Sequence, residues 1–275
     1  VADVRQALRD AARRLAATSD TPRLDAELLL AHALGVERQA LLLDSARFAV
    51  PGEFAALVER RLGHEPIAYI LGARDFWSIR LRVGPGVLIP RPDSEILIEA
   101  ALAHFGAQAP GRILDLGTGP GTLLLAALAE WPGATGLGVD ASDIALDYAR
   151  GNAAALGLSD RADFRIGDWC AGTDGPFDLI LCNPPYIADD EELMPDVAAH
   201  EPAGALFAGA DGLDDYRRII PDLARLLAPN GVAVLEIGAT QHILVGKLAE
   251  AAGFSVRCRR DLGGRDRALL LTAAS

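Results

Sequence analysis

Residues 111–140 read GRILDLGTGPGTLLLAALAEWPGATGLGVD, and this stretch decides the fold. RILDLG is an apolar run of strand length, glycines follow at 117, 119 and 121, TLLLAALAEW has a helical pattern, and TGLGVD reads as a second strand. Strand, glycine turn, helix and strand in that order imply two parallel strands joined by a crossover helix. The alternation continues downstream. IALDYARGNAAALG reads as a helix, ADFRIGD as a third strand, FDLILC as a fourth and GVAVLEIG as a fifth. After the helical QHILVGKLAEAAGF, the strands SVRCRRDL and RALLLTA are joined only by GGRD, which makes them antiparallel neighbours. The expected core is therefore an α/β sheet, mostly parallel, with an antiparallel C-terminal strand.

Upstream, residues 1–65 read as a small all-α domain. Val4, Leu8 and Leu15 recur at near-helical spacing, Thr21–Pro22 offers an N-cap with Pro at the first helical position, and Gly35 is a stop. Pro51 opens another helix that ends near Gly63. From Pro66 the texture changes. IAYILG and FWSIRLRV carry β-branched and aromatic residues in partial alternation, and VGPGVLIPRP denies the chain a helix. Residues 66–90 are expected to form a β-hairpin linker, and residues 91–275 the larger domain.

Composition narrows the function. The chain has 275 residues, 51% of them hydrophobic, and a net charge of −12. Residues 1–90 hold 12 Arg against 11 acidic residues, whereas the remainder holds 14 basic against 27 acidic. A nucleic acid approaching that part meets repulsion, so direct nucleic-acid binding is not expected. No apolar stretch reaches the roughly 18 residues of a membrane span, and Asp3, Arg5, Arg9 and Asp10 stand where a signal peptide needs an apolar block. Cys170, Cys182 and Cys258 are few and far apart, which suits a reducing, cytoplasmic setting. The five histidines form no HxxxH or HExxH pair, so no metal is expected.

The loop Asp115–Leu–Gly117–Thr118–Gly119–Pro120–Gly121 lies between strand and helix, where glycines let a ligand approach the backbone and the helix N–H groups favour an anionic group. A glycine triplet alone is equally a tight turn. Asp140, closing the second strand, adds a carboxylate that can accept from both hydroxyls of a ribose. Asp115 would repel a pyrophosphate, and the third glycine of GxGxxG is missing, which argues against a nicotinamide cofactor. A ligand with an amino-acid end and a nucleoside end fits better: S-adenosylmethionine, leaving S-adenosylhomocysteine. Asp168 and Trp169 can supply a hydrogen bond and a ring face to its adenine, although core packing also accounts for the Trp.

Asn183–Pro184–Pro185–Tyr186 follows the fourth strand. Two prolines end a strand for purely structural reasons, yet by average residue usage this tetrapeptide arises by chance in roughly one chain per thousand of this length. Its chemistry is also coherent. An amide nitrogen is a poor nucleophile because its lone pair is delocalised. The Asn183 side-chain oxygen and the Pro184 carbonyl can accept its two N–H bonds and orient it toward an electrophilic methyl, while Tyr186 offers a ring to the planar target.

PRLDAELLLAHALG, EPIAYILGARDFW, VLIPRPDSE, ILDLGTGPG, VDAS, NPPYI, EPAGALFAGADGLDDYR, LEIG and DLGGRDR span nearly the whole chain. Together they resemble the HemK/PrmC family of protein-(glutamine-N5) methyltransferases, which act on peptide-chain release factors. The resemblance implies a Rossmann-like class I methyltransferase sheet behind a small N-terminal helical domain; that domain reads equally as a scaffold or as a docking module, and its near-neutral charge against the acidic remainder leads us to expect that it docks the substrate. The resemblance also implies a cofactor site of Asp115, Gly117 to Gly121, Asp140, Asp168, Trp169 and Asn183. Asn183, Pro184 and Tyr186 would be catalytic, and Asn183 to Tyr186, Pro185 included, would hold a glutamine in a Gly-Gly-Gln loop. Ser94 stands where the family usually has Thr, and Pro120 removes one backbone donor from the loop. A cytoplasmic monomer is expected. A ribosomal-protein glutamine methyltransferase is the nearest alternative, followed by a nucleic-acid amino-methyltransferase and a non-catalytic nucleotide-binding adaptor.

Overall fold

The computed structural model describes residues 3–274. Five helices come first: α1 (Val4–Leu15), α2 (Pro22–Leu34), α3 (Arg38–Leu43), α4 (Glu53–Leu62) and α5 (Ile67–Leu71). Then follow β1 (Ala73–Phe76), β2 (Ile79–Arg82), α6 (Glu95–Phe105), β3 (Arg112–Leu116), α7 (Thr122–Glu130), β4 (Thr135–Asp140) and α8 (Asp143–Ala155). The chain continues with β5 (Ala162–Ile166), β6 (Phe177–Cys182), α9 (Pro195–His200) and α10 (Asp214–Leu226). It closes with β7 (Leu227–Glu236), α11 (His242–Ala251), β8 (Phe254–Arg260) and β9 (Asp266–Ala273).

Two compact units result. The first runs to Ala73 and takes back Leu193–His200. Its core follows from helical spacing: Val4, Leu8, Ala11 and Leu15 line one face of α1 and are buried with Leu29, Leu30, Leu41, Phe54 and Val58. Asp3 caps α1 through the Arg5 N–H, and Gly35, at φ 64°, ends α2 as its sequence predicts. A buried ion pair crosses the unit. Arg61 Nε donates to Asp25 at 2.9 Å, and its Nη1 lies 2.7 Å from Asp196 of α9. The boundary expected at residue 65 is thus corrected. IAYIL is helix α5, opened after Pro66 and closed by Gly72 in the left-handed conformation, and only residues 73–82 form the hairpin.

The second unit holds a seven-stranded sheet in the order β5-β4-β3-β6-β7-β9-β8. β5, β4, β3, β6 and β7 pair in parallel, and β9 runs antiparallel to both β7 and β8. Leu114, Leu116, Ile180, Cys182 and Leu235 face one side and pack with Tyr216, Ile219 and Leu223 of α10 and Val245 of α11. Their alternates Ile113, Leu179, Leu181, Val232 and Val234 are fully buried as well. Strands buried on both faces read as continuous apolar runs, which is why RILDL, FDLILC and VAVLE were legible.

The register positions the site. Leu116 at the end of β3 is partnered by Val139 of β4 and Cys182 of β6, and Cys182 in turn by Leu235 of β7. Topology reverses between β3 and β6, so the loops leaving both strands, with Asp140 and Glu236 beside them, meet at one carboxyl edge.

Candidate active site

A cavity of about 390 Å³ opens at that edge, within the size range of small-ligand sites. The turns after β3, β4, β5 and β6 all reach it: Asp115, Gly117, Thr118, Gly119 and Pro120, then Asp140, then Asp168 and Trp169, then Asn183 and Pro185. Gly121, Pro184 and Tyr186 do not line it. Gly121, at φ 86°, is the N-cap of α7, and a Cβ there would fall 2.8 Å from Leu125. Pro184 is buried, and the Tyr186 hydroxyl donates to Glu236 Oε1 at 3.3 Å.

The backbone donors of the glycine loop find partners within the fold. The N–H groups of Gly117 and Thr118 both donate to Val139 O, Gly119 N–H to Asp140 Oδ2 at 2.8 Å, and Gly121 N–H to Thr118 O. Pro120 has none. Every loop donor is therefore engaged inside the fold. The first turn of α7 instead leaves Thr122 and Leu123 N–H without an intrahelical acceptor, and both residues line the cavity. The loop is also braced from behind. Asn152, 1% exposed, donates from Nδ2 to Pro120 O at 2.8 Å and accepts from Arg82 N–H at 2.7 Å, fastening loop to hairpin.

Asp115 is the most unusual group in the wall. Its Oδ2 accepts from the Thr118 hydroxyl at 2.6 Å and from Leu124 N–H at 3.1 Å, but Oδ1 is buried without a partner. Burial pushes its carboxyl up to about 7, against the lowering effect of those two hydrogen bonds. Asp140 keeps both oxygens on backbone N–H groups, of Gly119 and Ser142, and burial raises its pKa too. Each oxygen retains acceptor capacity.

The far wall is fixed by ion pairs that the sequence reading missed. Asp168 is exposed and held by Arg218 Nη2 at 2.5 and 2.6 Å, while Trp169 Nε1 donates to Asp215 at 3.0 Å. Both Asp215 and Arg218 come from α10 and line the cavity. Trp169, at φ 49°, lies against Gly117, where a Cβ would come 2.9 Å from the ring. It both lines the cavity and packs on the sheet core. On the opposite side the LIPRP strap is clamped by Glu201, whose buried carboxylate accepts from Ile89 N–H at 3.0 Å and Arg91 Nη2 at 2.5 Å. Arg91 and Pro90 line the cavity. Ser94, 3% exposed, accepts from Asn183 Nδ2 at 3.2 Å.

Cys182 is a fully buried core residue, and burial holds its thiol well above the ordinary value. Among the described residues, His242, Cys258 and Asp266 bring possible metal-ligand atoms within 4.8 Å of one another. Three separate elements supply them, so no sequence spacing could show the group. Asp266 is occupied by His242 at 3.1 Å and Arg260 at 2.9 Å.

Residues 6–72 match the family model described as the PrmC N-terminal domain, and residues 93–201 match the methyltransferase small domain. A release factor glutamine methyltransferase of Rhodospirillum rubrum is 48% identical over 268 residues, covering 95% of this chain and 82% of that protein. One from Caulobacter vibrioides is 44% identical over 258 residues, covering 91% and 89%. A solved ribosomal protein L11 methylase from Lactobacillus delbrueckii subsp. bulgaricus superimposes with a TM-score of 0.51 at 22% identity, covering 67% of this chain and 81% of that one. At that identity the likeness concerns the fold alone.

Proposed function

This chain belongs to the family of release factor glutamine methyltransferases, and from that premise we propose that it methylates the side-chain amide nitrogen of the glutamine in the Gly-Gly-Gln loop of peptide-chain release factors. The observation that carries the reading is the meeting of two residues in one cavity: Asp115, whose Oδ1 is unpartnered, and Asn183, whose Nδ2 is tied back to Ser94.

The residues fit S-adenosylmethionine. When bound, it supplies a methyl group activated by a sulfonium. Asp115 Oδ1 is the counter-charge for its ammonium, and an orphaned acceptor in a buried wall favours a cationic donor strongly. Thr118 holds that carboxylate. Thr122 and Leu123 N–H at the start of α7 suit the ligand's carboxylate. Asp140 suits the ribose, and Trp169 with Asp168 the adenine side, where Gly117, Gly119 and Pro120 let the ligand approach.

On the acceptor side, Asn183 Oδ1 and the Pro184 carbonyl take the two N–H bonds of the target carboxamide, which turns the nitrogen lone pair toward the methyl. Pro185 forms the wall, and half-buried Tyr186 beside it offers a ring edge to the planar group. Orientation of this kind accounts for a large part of a barrier, on the order of 7–11 kcal/mol at its upper end. The proton leaves to water after transfer, so no general base or metal takes part. S-adenosylhomocysteine is the other product.

Asn183→Ala should lower methyl transfer to a release factor by about a hundredfold or more, on the scale of removing one oriented acceptor. Wild-type turnover in that variant would defeat the reading. The first unit is proposed to dock the release factor. Removing residues 1–73, the span that folds with α9, should leave donor binding intact and depress methylation of the whole protein. Unchanged methylation would exclude the docking role. The protein is proposed to act as a monomer in the cytoplasm, where release factors work, without direct contact to nucleic acid. A ribosomal-protein target is the second reading, and parallel incubation with each purified substrate separates the two.

A further inference from the structure

Asn152 stands on α8, does not line the cavity, and has no part in the transfer chemistry above. It is buried, and its side-chain amide is fully committed to backbone. One Nδ2 hydrogen goes to Pro120 O at 2.8 Å and the other to Arg82 O at 3.1 Å. Oδ1 accepts from Arg82 N–H at 2.7 Å. An asparagine side chain carries two donor hydrogens and an acceptor oxygen, and all three find partners here. Arg82 meets the amide as it would meet a neighbouring strand, through its N–H and its C=O together.

Both partners lead to the cavity. Pro120 lies between Gly119 and Gly121, at φ 57° and 86°, where backbone rotation meets little steric resistance. Having no N–H, the proline can be held by hydrogen bonding only through its carbonyl. Pro120 itself lines the cavity, as do Thr122 and Leu123 just beyond it. Arg82 ends β2, and the strap that follows brings Gly86, Leu88 and Pro90 to the same lining. α8 also seats that strap: a Cβ at Gly84 would run into the Tyr148 hydroxyl, and one at Gly86 would fall 2.8 Å from Ile144 Cγ2. We propose that Asn152 is a positioning residue of the donor site. By holding Pro120 O it sets the direction in which the first N–H groups of α7 point, and by holding Arg82 it fixes the strap against that loop. The proposal rests on the reading that Thr122 and Leu123 N–H receive the carboxylate of S-adenosylmethionine. Without the amide, the donor must itself order loop and strap as it binds, and that ordering is subtracted from its affinity. Asn183 and Pro184 belong to the turn after β6, which Asn152 does not touch, so turnover at saturating donor should change little.

The test measures S-adenosylmethionine binding to the full chain by titration calorimetry, and methyl transfer to a purified release factor. Asn152→Ala should raise the donor Kd by about tenfold or more, with kcat at saturating donor within about threefold of wild type. Asn152→Asp keeps the shape and the acceptor for Arg82 N–H, but it sets a carboxylate against two carbonyl oxygens, so its Kd should rise further than that of Ala. A merely structural residue would lower Tm in both variants and leave the Kd of the folded protein unchanged. Should either variant melt early, the rise in Tm at one fixed donor concentration decides: it should be smaller than in wild type, and an equal rise would count against the proposal. Wild-type Kd in both variants, or a loss confined to kcat, would overturn it. The wild-type titration separates the two levels. If the wild-type chain binds no donor, the reading beneath fails; if it binds and Asn152→Ala binds equally, only the positioning role fails.

Discussion

Two carboxylates occupy corresponding places at the carboxyl edge of the sheet, Asp115 near the end of β3 and Glu236 at the end of β7. Both are 1% exposed, both keep one oxygen without a partner, and burial raises both to about 7. Yet only Asp115 lines the cavity. The same physical signature therefore serves two ends. At β3 the residue that carries the orphaned oxygen belongs to the cavity lining, where it is proposed to meet a cation. At β7 the carboxylate is not part of the cavity lining, and its other oxygen accepts from the Tyr186 hydroxyl at 3.3 Å. A buried, strained acid marks a functional region; what it faces decides the role.

The comparison breaks most sharply at Asp115. Asp115→Asn keeps the acceptor for Thr118 and Leu124 but removes the charge, and donor affinity by titration calorimetry should fall by about a hundredfold or more, the scale of deleting one partner of a buried ion pair. Loss of less than threefold would move the ammonium site elsewhere. The next effect concerns pH. A carboxyl raised to about 7 binds the donor's ammonium only when ionised, so affinity should weaken by about tenfold per pH unit below 7 and level off above it. Asp115→Asn should show no such slope. A smaller effect appears in the ligand-free protein. Because the folded-state pKa lies above the ordinary carboxylate value, the native state binds more protons between those limits. Stability should fall as pH rises from about 4 to about 7, and Asp115→Asn should flatten part of that fall in thermal melts. A wild-type melt that rises with pH over this interval would contradict the assignment.

The sheet was legible because strands buried on both faces leave unbroken apolar runs between glycine and acidic punctuation. Asp115, Asp140 and Asn183 were legible for a related reason: each stands at or just past a strand end, where a polar residue interrupts such a run. IAYIL was not. Its Ile and Tyr residues favour strands, and only the caps at Pro66 and Gly72 make five residues a helix. Leu193–His200 gave no sign of returning to the first unit, since Asp196 meets Arg61 across 135 positions. Ser94, Asn152, Glu201, Arg218 and Glu236 act on loops far from them in the chain. Their roles exist only through register and packing, which single-sequence periodicity does not carry. The glycine loop teaches the same point in reverse. Its residues were found, but where its N–H groups go is set by Val139 and Asp140 on the next strand.

In the proposed chemistry Asn183 presents an oxygen to a glutamine carboxamide beside an activated methyl. Tandem mass spectrometry of a release factor after incubation with labelled donor tests it most directly. The wild-type chain should add the mass of a single CH2, located on the side chain of the Gly-Gly-Gln glutamine, and Asn183→Ala should leave that peptide unmodified. Label on any other residue, or equal incorporation by the two proteins, would contradict it.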